Sequence, residues 1–318
     1  MSAASASTAT ATTATARTLV DPNAAEPPAP AYVGRFAPSP TGRLHAGSLL
    51  AAVGSYLDAR HRAGRWLVRI EDLDEPRVVP GSADDILRTL AAFGLGWDSE
   101  VCYQSRHLER YADALARLRN AGLTFECSCS RRRHAEPEEL GYPGTCRGGP
   151  TRAGPTATRF RIERDVELED RIQGTYRSSA RQLGDVVIRR RDGRYAYQLA
   201  VVVDDAAQGV THVVRGADLL PSTGWQIELQ RALALPRPEY AHLPLVLEPD
   251  GSKLAKIKRS VPIDPRGAGA LLHSSLVLLA QQPPAELARE APATILAWAV
   301  QHWRPAALHG VRTVRAPG

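Results

Sequence analysis

Lysine is nearly absent from this sequence. Of 40 basic residues in 318, only Lys253, Lys256 and Lys258 are lysines, and the rest are arginines. Aromatic residues make up only 6% and methionine occurs once. Four cysteines (Cys102, Cys127, Cys129 and Cys146) cannot staple a chain this long. That excludes a disulfide scaffold and fits a reducing compartment, here expected to be the cytoplasm. No apolar run approaches the roughly 18 residues of a membrane-spanning helix, the longest being Leu199–Val203 and Ile295–Val300. A membrane is therefore not an expected partner. Acidic residues do not dominate either: 34 against 40 basic gives a net charge of +6, which suits a polyanion such as nucleic acid without demanding one.

What is present is ordinary globular material, 43% apolar and 23% charged. The stretch 1–31 is the exception. Its Ala, Ser, Thr and Pro cannot offset their own ordering entropy, so a disordered tail is expected, and it lacks the apolar core of a secretory signal. Tyr32–Phe36 reads as a buried strand, Leu44–Ala63 as a helix and Trp66–Glu71 as a second strand, the beginning of a parallel nucleotide-binding sheet. Helices are expected over Ser82–Phe93 and Ser105–Asn120, each opened by a capping serine. Val186–Arg190 and Tyr195–Val203 flank Asp192-Gly193 and predict a hairpin. Thr211–Arg215 follows as a strand, Trp225–Leu233 as a helix, and Gly267–Arg304 as two helices split by Pro283-Pro284.

Five constellations carry chemistry. Arg35-Phe36-Ala37-Pro38-Ser39-Pro40-Thr41-Gly42-Arg43-Leu44-His45-Ala46-Gly47-Ser48 runs from a strand into a helix N-terminus, whose unpaired N–H groups suit a phosphate. Gly47 bares the backbone to a flat ring such as adenine, and His45 can donate to a phosphate oxygen gaining charge. Ile70-Glu71-Asp72-Leu73-Asp74 places carboxylates at a strand end, where they can meet an ammonium group or a metal. Cys127-Ser128-Cys129 with Cys146 supplies three thiolates for a zinc ion. His134 is the default fourth donor and Tyr142 an unusual one. Three lysines within six residues, where the chain otherwise writes arginine, mark a site needing compact ammonium groups that can follow a departing pyrophosphate. Finally Tyr197, Asp204-Asp205 and Arg215 surround another strand end, Arg215 as a fork for a carboxylate.

In this order the motifs resemble a class I aminoacyl-tRNA synthetase of the glutamyl type, over about Tyr32 to Lys258. His45-Ala46-Gly47-Ser48 stands for the family's HIGH signature and Lys253-Leu254-Ala255-Lys256-Ile257 for its KMSKS signature, with Ser48, Ala255 and Ile257 as departures. The segment after Lys256 is too short for the large helical anticodon-binding region of a full glutamyl-tRNA synthetase, so none is expected. The chain resembles the short, zinc-bearing glutamyl-queuosine branch of the family.

The resemblance implies a Rossmann-type α/β catalytic domain at 32–250, interrupted by a zinc-containing insert at about 123–180. It also implies a KMSKS-like loop and short helical region at 251–318. It implies an L-glutamate site of Arg35, Phe36, Ala37, Pro38, Ser39, Glu71, Tyr197 and Arg215, and an ATP site of His45, Gly47, Ser48, Lys253 and Lys256, with magnesium accompanying ATP. His45 and Lys256 are the expected catalytic residues. One zinc ion on Cys127, Cys129, Tyr142 and Cys146 is implied, which moves the fourth ligand from His134 to Tyr142. The implied reaction activates glutamate without tRNA and passes it to queuosine in the tRNA(Asp) anticodon stem-loop, the protein acting as a monomer. The alternative is a truncated glutamyl-tRNA synthetase charging the 3′ end of tRNA(Glu).

Overall fold

The computed structural model describes residues 31–129, 141–247 and 263–315. The expected tail at 1–31, apart from Ala31, lies outside them, as do His134 and the lysine cluster. Its centre is a parallel sheet. Strand β1 (Val33–Phe36) is buried along its length and pairs with β2 (Arg65–Ile70), which pairs with β3 (Cys102–Tyr103). Helix α1 (Ala46–His61) crosses between β1 and β2, α2 (Ser82–Ala92) links β2 to β3, and α3 (Leu108–Asn120) leads out of the sheet.

On the other side of β1, Thr211 donates its N–H to the Val33 carbonyl at 2.9 Å and accepts the Val33 N–H at 2.9 Å. That seats β9 (His212–Gly216) beside β1, and β9 pairs in parallel with β10 (Glu239–Leu243). The chain therefore leaves β1 in one direction first and in the other later. Such a reversal splays the connections apart and leaves a crevice at the carboxyl ends of β1 and β9.

Between the two halves lies a smaller sheet of β4 (Thr124–Cys127), β5 (Ala157–Phe160) and β8 (Val186–Arg189) in antiparallel order β4-β5-β8. The hairpin of β6 (Val166–Asp170) and β7 (Gly174–Ser178) and the short α4 (Ala180–Leu183) sit within the same stretch. The hairpin's turn reaches back to the main body, where Ile172 joins the core around Trp66 and Leu57.

Two expectations fail. Tyr195–Val203 is no strand: α5 (Tyr197–Ala207) is helical, and the hairpin at Asp192-Gly193 is reduced to one antiparallel bridge between Arg189 and Tyr195. The β-branched run Val201–Val203 favours a strand locally. Buried on every side against α3 and α6 (Leu220–Ala232), it packs equally well as helix. Nor do the two serines cap. The N-cap of α2 is Gly81, and Ser82 Oγ instead donates to the Gly42 carbonyl at 2.6 Å, tying the loop before α1 in place. Ser105 bonds Asp72 from a 3₁₀ turn ahead of α3.

β11 (Leu245–Leu247), α7 (Ala268–Leu278), α8 (Pro292–His302) and β12 (Thr313–Arg315) complete the described chain. Leu272, Leu276, Ile295 and Trp303 share one core with Leu57 and Trp66, so these helices buttress α1. Gly54 permits this packing on the sheet: a Cβ there would sit 2.6 Å from Leu243 Cδ1.

Candidate active site

A cavity of about 830 Å³ opens at the crevice between β1 and β9. Arg35 rises into its floor from β1. Burial of an arginine demands a counter-charge, and Asp205 on α5 provides it: Arg35 Nε donates to Oδ1 at 3.2 Å and Nη2 to Oδ2 at 3.5 Å. Arg69, fully buried on β2, lies 2.8 Å from the same Oδ1. Asp205 thus bridges two guanidinium groups. Burial works against its charge, yet Arg35 and Arg69 hold the carboxyl below its ordinary range.

Glu71, just past β2, has the opposite balance. Burial outweighs the attraction of Arg69 and Arg35, and the carboxyl is pushed up to about 7. Its Oε1 is buried, accepts no hydrogen bond and lies 3.5 Å from Arg69 Nη2. A buried carboxylate poised near neutrality and short of donors is suited to an incoming ammonium group.

Arg215, at the end of β9, is held on every arm. Nη1 donates to Tyr197 Oη at 3.3 Å, Nη2 to Thr223 Oγ1 at 2.8 Å and Gln226 Oε1 at 2.7 Å, and Nε to His242 Nε2 at 3.1 Å. Tyr197, Glu71, Arg35 and Arg215 all line the cavity, with Phe36, Ala37, Pro38 and Ser39 along its wall.

The rim is built from the start of α1. His45 is the N-cap, extended at φ −119° and ψ 170°, and its Nδ1 accepts the Ser48 N–H at 3.3 Å. Nε2 lies 2.9 Å from Ser48 Oγ. With Nδ1 as acceptor, the proton sits on Nε2, and burial lowers the imidazole's affinity for a second. The imidazole itself occupies the space over Gly47, where a Cβ would approach the ring at 3.3 Å. The first turn of α1 supplies unpaired backbone N–H groups at this rim.

The thiols converge as the spacing predicted. Cys127, Cys129 and Cys146 place their Sγ atoms within 4.8 Å of one another. Cys129 and Cys146 are 3.5 Å apart, and Tyr142 Oη is 3.5 Å from Cys127 Sγ and 3.7 Å from Cys129 Sγ. A zinc–sulfur distance of about 2.3 Å gives a tetrahedron with edges of about 3.8 Å, so this donor set fits the ion. Burial opposes the Cys146 thiolate, but hydrogen bonds from Tyr142, Ser128 and Thr151 outweigh it and bring the thiol down to about 5. Gly184, at φ +60°, lets Tyr142 bridge to it where any Cβ would collide with the Tyr142 backbone. His134, the default fourth donor, is outside the described residues. A second cavity, about 1100 Å³, runs from this cluster to the first and shares Ser39, Glu71, Arg77 and Tyr197 with it.

The structure brings together Arg35 through Ser39, His45, Gly47, Ser48, Glu71, Tyr197 and Arg215. Lys253 and Lys256 lie outside the described residues. Sequence reasoning did not single out Arg69, His242 or Asp170, and it placed Asp205 near Tyr197 and Arg215 without naming its partner. The signal for Asp205 was visible: two acids at the end of a run of valines, where burial forces a partner.

The family model for the catalytic domain of class I tRNA synthetases (E and Q) matches residues 32–266. A glutamyl-Q tRNA(Asp) synthetase of Ectopseudomonas mendocina is 53% identical over 275 residues, 86% of this chain and 93% of its own. Its counterpart from Dechloromonas aromatica is 54% identical over 282 residues, 86% of this chain and 94% of its own. Among solved structures, a glutamate tRNA ligase from Elizabethkingia meningosepticum, in complex with its amino acid, superposes with a TM-score of 0.74. It is 25% identical and covers 90% of this chain and 67% of its own. A methionyl-tRNA synthetase of Mycobacterium tuberculosis, 14% identical with a TM-score of 0.55, shares the fold.

Proposed function

We infer the reaction from what the chain is: it belongs to the class I tRNA synthetases (E and Q), and within them to the glutamyl-Q tRNA(Asp) synthetases. It is an ATP-dependent ligase. The observation that carries the substrate assignment is the pairing, in one cavity floor, of two anchored arginines with a single under-bonded acid. Arg35 and Arg215 meet the two carboxylates of L-glutamate, Glu71 takes its ammonium group, Tyr197 fixes its orientation, and Phe36 through Ser39 close the wall. Glutamine would leave a guanidinium facing a neutral amide, and sites reject isosteres through such unpaired polar groups.

ATP with magnesium lies along the rim, on the α1 N-terminus near Gly47 and Ser48, with Lys253 and Lys256 reaching the phosphates. The glutamate α-carboxylate attacks the α-phosphorus in line. The bond to the bridging oxygen breaks, and pyrophosphate leaves with the electron pair. His45 and Lys256 stabilise the charge that gathers on the phosphates. In the second step a hydroxyl of the queuosine cyclopentene ring attacks the adenylate carbonyl, loses its proton and displaces AMP.

The second cavity, contiguous through Ser39, Glu71 and Tyr197, offers the acceptor a path to that carbonyl. Exposed Arg191 at its edge suits the phosphates of an anticodon stem-loop, a contact that salt would weaken. One zinc ion on Cys127, Cys129, Tyr142 and Cys146 cross-links this wall, its role being structural. The protein works as a monomer in the cytoplasm, where free cysteines remain reduced.

The test is transfer of labelled glutamate to tRNA(Asp) with and without queuosine. Label on the modified tRNA alone supports the reading. Label on unmodified tRNA(Asp), or on the terminal diol of tRNA(Glu), contradicts it.

A further inference from the structure

We propose that His242 and Asp170 form a buried positioning pair that fixes the guanidinium of Arg215, so that the insert's hairpin turn sets the geometry of the amino-acid site. The proposal rests on the assignment of Arg215 to the substrate carboxylate. His242 stands on β10, next to Arg215 in register, and its side chain is fully buried. Its Nδ1 lies 2.6 Å from Asp170 Oδ2, and its Nε2 accepts from Arg215 Nε at 3.1 Å.

An arginine N–H can only donate. Nε2 must therefore be an unprotonated acceptor, and the single proton must sit on Nδ1, directed at the carboxylate. Thr223 Oγ1, 3.2 Å from Nε2, completes the shell. Asp170 is itself fixed: its Oδ1 accepts the backbone N–H groups of Ile172, Gln173 and His242 at 3.0, 2.8 and 3.0 Å. The turn between β6 and β7 thus selects a tautomer two residues removed from substrate, by the same logic as a carboxylate that orients a catalytic imidazole.

Asp170→Asn tests this sharply. Asparagine keeps Oδ1 for the three backbone donors and replaces only Oδ2 with an NH₂. That group donates to Nδ1, moves the proton to Nε2 and sets it against the Arg215 N–H. Glutamate-dependent pyrophosphate exchange should then show a glutamate KM raised roughly tenfold or more, with the ATP KM unchanged and thermal unfolding close to the parent. His242→Gln, whose amide oxygen can accept from Arg215, should recover part of the loss that His242→Phe suffers. An unchanged glutamate KM in Asp170→Asn, with the parent active, overturns the proposal and leaves the glutamate assignment standing.

Nitrogen-15 imidazole shifts provide an arm that does not need activity, His242 being assigned by its absence from His242→Gln. The parent should show a protonated Nδ1 and bare Nε2, and Asp170→Asn the reverse. A protonated Nε2 in the parent overturns the proposal, whereas a parent protein with no exchange at all but the expected tautomer faults only the glutamate assignment.

Discussion

The floor and the rim of the cleft solve different problems by different means. At the floor, charge is carried by side chains that the fold has already fixed: Arg35 and Arg69 are buried on Asp205, and Arg215 is buried on the neutral His242. At the rim, the fixed element is backbone, the open first turn of α1, with one half-buried histidine on its cap. On the proposed assignment of glutamate to the floor and ATP to the rim, the contrast follows from the ligands. A small dicarboxylic amino acid is told from its amide by where two charges fall, so the opposing charges must not move. A triphosphate changes shape as it reacts, and is better held by a helix terminus and by lysines on long stems.

That contrast can be broken most severely at the floor. Arg215→Ala should lower kcat/KM for glutamate in pyrophosphate exchange by at least a hundredfold, because removing one partner from a buried charged pair costs about 3–5 kcal/mol. The ATP KM should barely move, and steady-state kinetics in both substrates reads the split. Against the proposed triphosphate role, Lys256→Ala should cost on the order of a hundredfold in kcat instead, with glutamate KM little changed. Exchange at the parental rate would remove the lysine from its assigned role.

The floor also has a pH signature. Glu71 titrates near 7. Below that it is protonated and cannot pair with an ammonium group, so glutamate KM should fall as pH rises from 6 to 8, about tenfold at most. Glu71→Gln should flatten this profile, and a flat profile in the parent protein would show that the carboxyl titrates elsewhere.

Cysteine chemistry probes a third region. Cys146→Ser should abolish stoichiometric zinc as measured by metal analysis, and should lower transfer to tRNA more than it lowers exchange, since the cluster borders the second cavity. The smallest effect belongs to Ser48→Ala. It frees the Nε2 of His45 while leaving the backbone N–H to Nδ1 contact, and exchange should change only a few-fold.

These regions were not equally legible in the sequence. The rim could be read directly, because a strand, a proline-rich loop and a helix lie consecutively in the chain. The thiol cluster was legible because metal ligands recur at short spacings, although the choice between His134 and Tyr142 needed the family resemblance. The floor was only half visible. Glu71 and Arg215 announce themselves at strand ends, but Asp205 reaches Arg35 across 170 residues and Asp170 reaches His242 across 72. No local pattern encodes such pairings; they arise from which strands become neighbours. The same blindness turned Tyr195–Val203 into a strand. Its valines carry a local preference that burial against α3 and α6 overrides.

The measurement that bears most directly on this account is tRNA-free pyrophosphate exchange with glutamate, glutamine and aspartate in parallel. The anchored floor predicts exchange with glutamate in the absence of any tRNA, with glutamine at least a hundredfold slower. Equal exchange with glutamine, or none with glutamate, would contradict it.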